Sequence, residues 1–249
     1  MTAMKHWKRY RNLLFTVCMG CFLCMGLLEG QEAVRDQPVW EILPDQTGPE
    51  DVPQSERGPE SEEDVKPRVA LTFDDGPHSV YTERLLDGLK ERGVKATFFL
   101  IGKSITGKEE VVRRMDEEGH LIGNHTYDHV KLTAMSDEEA CEQLTKTSEA
   151  AKAVTGKDTE YVRPPFGEWN SRLECDIPMF PVLWSVDPLD WTTKNVDQVV
   201  DRVVSNIEEN DIILLHDIFA SSVEAALRIV DILQEQGYEF VTVDELILE

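Results

Sequence analysis

With 249 residues and a formal charge of −23 at neutral pH, the chain has room for one domain of about 180–200 residues plus extensions, enough to bury a core without disulfide support. The charge is uneven: +3 over residues 1–30 (four basic, one acidic), −9 over 31–65 (two basic, eleven acidic) and −17 beyond (19 basic, 36 acidic). So acidic a domain is a poor partner for nucleic acid or anionic lipid, and a neutral substrate suits it better.

Lys5, Lys8, Arg9 and Arg11 precede sixteen uncharged residues, Leu13 to Leu28, the order of a secretory n-region and h-region. Export is therefore expected. A helix of that length spans about 24 Å, short of a ~30 Å hydrocarbon core, so residues 1–30 read as a cleaved signal peptide or a signal anchor, the chain's only expected membrane contact. The anchor is preferred, because Gly26-Leu27-Leu28-Glu29-Gly30 offers no clean Ala-x-Ala cleavage site. Cys18, Cys21 and Cys24 fall inside this apolar run, where packing or lipid contact is their expected role. Cys141 and Cys175 lie in the folded region, and their spacing leaves open whether the Cα atoms come within the roughly 7 Å a disulfide needs. Residues 31–66, with Pro38, Pro44, Pro49, Pro53, Pro59 and dense acid, read as an extended, solvated linker. The folded domain is placed at 67–249.

Arg68 to Phe73 reads as a buried strand. Tyr81 to Arg92 puts Leu85, Leu86 and Leu89 on one helical face and stops at Gly93. Ala96 to Ile101 is a second strand, Glu109 to Glu118 a helix ending at Gly119, and His120 to Gly123 a third strand. Ser136 with Glu139 is a capping box, opening a helix that runs to Gly156. Tyr161 to Arg163 and Pro181 to Ser185 read as the fourth and fifth strands, Val196 to Ile207 as a helix, and Ile212 to Leu215 as the sixth strand. Ser221 with Glu224 is a second capping box, before a helix closed by Gly237, and Phe240 to Val243 is the seventh strand. Seven apolar strands separated by helices predict an α/β parallel sheet buried on both faces, curled into a distorted (β/α) barrel.

Polar residues collect at the C-terminal ends of these strands, where such folds place their chemistry. Asp74 and Asp75 emerge together from the first. Adjacent carboxylates repel, and are tolerated beside a cation, when one holds a proton, or as a simple turn pair. His125 and His129 follow the third strand, and a spacing of four on one helical turn puts both rings on one side. With one carboxylate they make a site with open positions for water and substrate. Arg163-Pro164-Pro165-Phe166-Gly167 ends the fourth strand, Asp187-Pro188-Leu189-Asp190-Trp191 follows the fifth, and Leu214-Leu215-His216-Asp217 ends the sixth.

Together with Thr72-Phe73-Asp74-Asp75-Gly76-Pro77 and His125-Thr126-Tyr127-Asp128-His129, these stretches resemble the five ordered motifs of the polysaccharide deacetylases, carbohydrate esterase family four, across about residues 67–249. The resemblance implies a metal-dependent hydrolase removing N-acetyl groups from N-acetylglucosamine in a cell-wall polysaccharide, peptidoglycan being the first polymer an exported enzyme meets. It makes Asp75, His125 and His129 the ligands of a divalent metal, zinc by default with cobalt or nickel as alternatives. Asp74 becomes the general base, His216 the general acid, Arg163 the group holding Asp74, and Asp187 the group tuning His216. Leu214 and Trp191 wall the acetyl pocket, and Phe166, where the family commonly has Tyr, lends its backbone N–H to an oxyanion. A monomer is expected. The alternatives are chitooligosaccharide N-deacetylation, acetylxylan O-deacetylation, and a non-catalytic glycan-binding module, which would have no need of His216 opposite Asp74.

Overall fold

Arg68–Asp74 forms β1, the strand from which the site is built. Its Val69-Ala70-Leu71-Thr72-Phe73 run is buried throughout, as a strand covered on both faces must be. The computed structural model describes residues 66–248 apart from 172, 174, 176 and 178. The expected signal or anchor segment with its three cysteines, and nearly all of the expected acidic linker, lie outside the described residues. Among those described, no helix is long and apolar enough to cross a membrane.

The remaining elements, in chain order, are α1 (Tyr81–Glu91), β2 (Thr97–Leu100), α2 (Gly102–Ile105), α3 (Glu109–Glu117), β3 (Leu121–Asn124), α4 (Asp137–Thr155), β4 (Tyr161–Val162), β5 (Phe180–Pro181), α5 (Val196–Val204), β6 (Ile212–His216), α6 (Ala220–Glu235), β7 (Glu239–Val241) and α7 (Val243–Ile247). All pairings are parallel, in the order β5-β4-β3-β2-β1-β6, and β7 pairs with the first residues of β1. This is the distorted barrel of seven parallel strands expected from the alternation of elements. Its curl is drawn in where the chain beyond β5 crosses to β6: Val186 bridges Ile213, and the Leu214 N–H donates to the Val186 carbonyl at 2.9 Å. Phe73 stacks on Phe98 with centroids 5.2 Å apart, against leucines and valines from α1, α5 and α6.

Four local expectations need correction. The fifth strand is not Pro181 to Ser185: only Phe180–Pro181 pairs with β4, after which Ser185 and Val186 hydrogen-bond to the Ile212 carbonyl instead. Ser221 and Glu224 form no capping box, because the short β6–α6 connection already turns helical at Ala220, with Phe219 at the N-cap. The last strand stops at Val241, and Thr242 with Glu245 makes a capping box opening α7, a signal present in the sequence and not used. His125 to His129 is not a helical turn, as described below. The Ser136–Glu139 box forms as expected, with Gly156 ending α4 in the left-handed region at φ 75°. Cys141 at the start of α4 is disulfide-bonded to Cys175, tying down a stretch without regular structure whose Trp169, Leu173 and Ile177 cover a small apolar cluster around Leu144 and Val162.

Register fixes the site. β1 and β6 place Asp74 directly opposite His216, while β3 and β4 place Asn124 beside Val162, so the residues that follow these strands meet on one rim.

Candidate active site

Arg163 is fully buried, an expensive place for a permanent charge unless every donor is used. Its Nη1 donates to Asp74 Oδ1 at 2.9 Å and to the Thr72 hydroxyl at 2.6 Å, Nε to the Val182 carbonyl at 3.3 Å, and Nη2 to the Leu183 carbonyl at 3.2 Å. The guanidinium lies over the Phe99 ring, 4.2 Å from its centroid. Thr72 in turn donates to the Ile213 carbonyl at 2.6 Å. Asp74, itself buried, is thus pinned through one oxygen, while Oδ2 lies 3.8 Å from His125 Nε2. Thr72 was missed in the sequence; its hydroxyl in a strand otherwise wholly apolar from Val69 to Phe73 was the available signal.

Asp75, His125 and His129 converge, with one ligand atom from each lying within 4.8 Å of the others. The rings are brought together by a loop rather than by helical spacing: Thr126 and His129 take left-handed backbone at φ 63° and 58°, and Asn124 accepts the Thr126 N–H at 2.9 Å. His125 Nδ1 lies 2.6 Å from the Arg163 carbonyl, which only accepts, so Nδ1 carries the proton and Nε2 is bare. Burial lowers the His125 pKa against the pull of Asp74 and Asp75, favouring the neutral ring a metal ligand must be. Nε2 of His125 is 3.5 Å, and Nε2 of His129 3.4 Å, from Asp75 Oδ1. These are too long for hydrogen bonds, yet close to the roughly 3.3–3.4 Å between ligands set about 2.0–2.1 Å from one tetrahedral ion. Asp75 Oδ1 is buried with no hydrogen-bond partner. An orphaned carboxylate oxygen flanked by two imidazole nitrogens fits a divalent cation.

His216 pairs with Asp74 on the neighbouring strand, but its partner is not Asp187. Asp190 Oδ1 lies 2.8 Å from His216 Nδ1, and Asp190 Oδ2 accepts the His216 N–H at 2.9 Å. Asp187 instead accepts the Leu189 N–H at 2.8 Å. Leu189 adopts left-handed backbone at φ 56°, which swings Asp190 inward, where it is almost wholly buried. Two carboxylates three apart cannot be told apart by spacing alone; the left-handed residue between them decides which one reaches the ring. Burial works against charge on His216, but the hydrogen bond and charge of Asp190, with Asp74 and Asp75 behind, outweigh it and raise the pKa to about 9. Burial likewise raises Asp187 and pushes Asp217 up to about 7.

Phe166 sits at φ 63° on the loop after β4, 65% exposed, its ring edge-on to His129 at 5.1 Å between centroids. Its N–H donates to no acceptor among the described residues. Leu214 is buried in β6 two residues before His216, and Trp191, beside Asp190, is 58% exposed.

A protein-family model described as "Polysaccharide deacetylase" matches residues 61–177. The peptidoglycan-N-acetylmuramic acid deacetylase PdaC of Bacillus subtilis is 40% identical over 188 residues, which cover 74% of this chain and 40% of PdaC. Its solved structure gives a TM-score of 0.70 over 73% of this chain and 90% of that one. A peptidoglycan-N-acetylglucosamine deacetylase of Bacillus cereus is 37% identical over 187 residues, covering 72% of this chain and 87% of the relative. The chain belongs to the polysaccharide deacetylase family. A family 4 acetyl xylan esterase of Clostridium thermocellum, solved in complex with a cobalt ion, is also similar to this chain, at 33% identity and a TM-score of 0.68 over 73% of this chain and 90% of that one. The chain spans about two fifths of the length of the first curated relatives it matches.

Proposed function

We propose that this polysaccharide deacetylase hydrolyses the N-acetyl group of N-acetylglucosamine in peptidoglycan. The observation that carries the proposal is a carboxylate and an imidazole paired on neighbouring parallel strands, each locked by its own buried partner: Asp74 by Arg163, and His216 by Asp190. Asp75, His125 and His129 would hold a divalent metal, zinc by default, since imidazole and carboxylate suit zinc, cobalt and nickel alike. Such an ion supplies Lewis acidity toward water and an acetyl carbonyl. Asp74, held by Arg163 with Oδ2 free, takes the proton of water as its oxygen bonds to the carbonyl carbon. The Phe166 N–H would donate to the developing oxyanion. His216, kept protonated by Asp190, gives its proton to the nitrogen as the C–N bond breaks, releasing acetate and a free amine; each proton transfer contributes about 10²- to 10⁴-fold. Trp191 and Leu214 wall the methyl group.

The proposed site of action is outside the cell. The basic, then apolar, N-terminal stretch supports export, and so does the Cys141–Cys175 bridge, since disulfides persist in oxidising compartments. The test is amine and acetate release by metal-reconstituted protein from peptidoglycan, chitin oligomers and acetylxylan. Faster turnover of a polymer other than peptidoglycan overturns the substrate, and inactivity on all three overturns the activity.

A further inference from the structure

Asp217 adjoins His216 yet takes no part in the chemistry above. It is fully buried. Its Oδ2 accepts the Thr82 hydroxyl, and its Oδ1 has no hydrogen-bond partner. Both oxygens press on Gly76, the residue after Asp75: a Cβ added there would lie 2.5 Å from Oδ1 and 2.6 Å from Oδ2. The contact follows from register. Asp74 and His216 are partners in parallel strands, so the chain leaves both at one level, and Asp75-Gly76 emerges beside Asp217.

The segment from Gly76 to Thr82 is thereby held at several points. The Thr82 hydroxyl that donates to Asp217 accepts the His78 N–H at 2.7 Å, and the Ile101 N–H donates to the Gly76 carbonyl at 3.1 Å. There is something to hold. Successive residues of a strand point to opposite faces, yet Asp74 Oδ2 and Asp75 Oδ1 approach the same His125 Nε2, at 3.8 and 3.5 Å. They do so because Asp75 is left-handed, at φ 73°, a conformation uncommon outside glycine and held in place by the surrounding contacts. Gly76 itself is not among the residues with positive φ; what a side chain there would meet is Asp217.

We propose that Asp217 is a positioning residue for Asp75: packed on Gly76 and bonded to Thr82, it holds the turn in the form that aims the Asp75 carboxylate at His125 and His129. The proposal rests on the ligand set of the preceding section. It places in one cluster a glycine, a threonine and a buried carboxylate that the chemistry leaves unused.

The test measures Zn²⁺ and Co²⁺ affinity by chelator competition, alongside the melting temperature of the metal-free protein. Asp217→Ala should weaken metal binding by about 10- to 100-fold, the usual effect of removing a group that orients a ligand. Asp217→Asn, which keeps the shape and an acceptor for Thr82, should stay within about threefold of wild type. Gly76→Ala should weaken binding too, and Gly76→Ala with Asp217→Ala should bind more tightly than the product of the two single effects allows, because the new methyl occupies the vacated space. Metal affinity in Asp217→Ala equal to wild type, or strictly additive single effects, overturns the proposal. Should Asp217→Ala fail to fold, Thr82→Val, which removes the hydroxyl and keeps the volume, carries the same expectation of weaker affinity and the same refutation. Asp75→Ala distinguishes the two levels: unchanged affinity there overturns the ligand set, whereas lost affinity there with full affinity in Asp217→Ala overturns only the positioning role.

Discussion

Replacing Asp190 with Asn isolates the charge that keeps the proposed acid protonated. Asn retains an oxygen to accept the His216 Nδ1–H, so the 2.8 Å contact can persist while the negative charge goes. His216 is raised from an ordinary 6.5 to about 9, against burial that alone would lower it. Without Asp190 the pKa should fall to 6.5 or below. At pH ~8 about nine tenths of wild-type rings are protonated, against roughly 3% in the variant, so amide cleavage should drop about 30-fold there and less than twofold near pH 6. Stability should move in the same sense. A raised folded pKa stabilises fully below the unfolded value of 6.5 and loses that contribution as pH rises through about 9, a span worth about 3 kcal/mol. Wild-type melting temperature should therefore fall between those limits, and Asp190→Asn should flatten the fall. The assay is a pair of pH–rate profiles on N-acetylglucosamine oligomers with matching thermal melts. Asp187→Asn is the control, because its carboxylate bonds the Leu189 N–H rather than the ring. A basic limb unmoved by Asp190→Asn, or moved as far by Asp187→Asn, refutes the reasoning.

Three further outcomes are expected. His125→Ala or His129→Ala should lose metal and activity together, since two remaining donors hold a divalent ion weakly; elemental analysis finding stoichiometric metal in either variant would remove that residue from the ligand set. Asp74→Asn should keep its metal and lose about 10²- to 10⁴-fold in rate, whereas Asp75→Asn should lose both, and equal metal loss in the two would mean the carboxylates share the ion. Cys141→Ser should destabilise the domain by about 3–4 kcal/mol, from the closure of a loop with a sequence separation of 34; a melting temperature unaffected by the variant and by reductant would show that the bridge does not form.

Much of this protein is written in local pattern. The apolar run Val69 to Phe73 ending in Asp74-Asp75, the alternation of short strands with amphipathic helices, and the Ser136–Glu139 cap follow from nearest-neighbour chemistry, which depends on little beyond a few adjacent residues. Parallel strands also commit their C-terminal ends to one rim, so the polar clusters could be placed together before any coordinate was known. What sequence could not supply is the direction of a side chain after the chain leaves a strand. Asp187 and Asp190 are equally good carboxylates in sequence; the left-handed Leu189 gives His216 to Asp190. His125 and His129 look like one helical turn, yet left-handed Thr126 and His129 bring the rings together. Cys141 and Cys175 meet because α4 packs against a stretch whose path no periodicity describes. Asp217 acquires its place only because β1 and β6 are in register at Asp74 and His216. Composition and period act through local backbone preference and burial, which a linear pattern encodes. Loop handedness and inter-strand register are settled by contacts between residues as much as 171 positions apart, and those exist only once the barrel has formed.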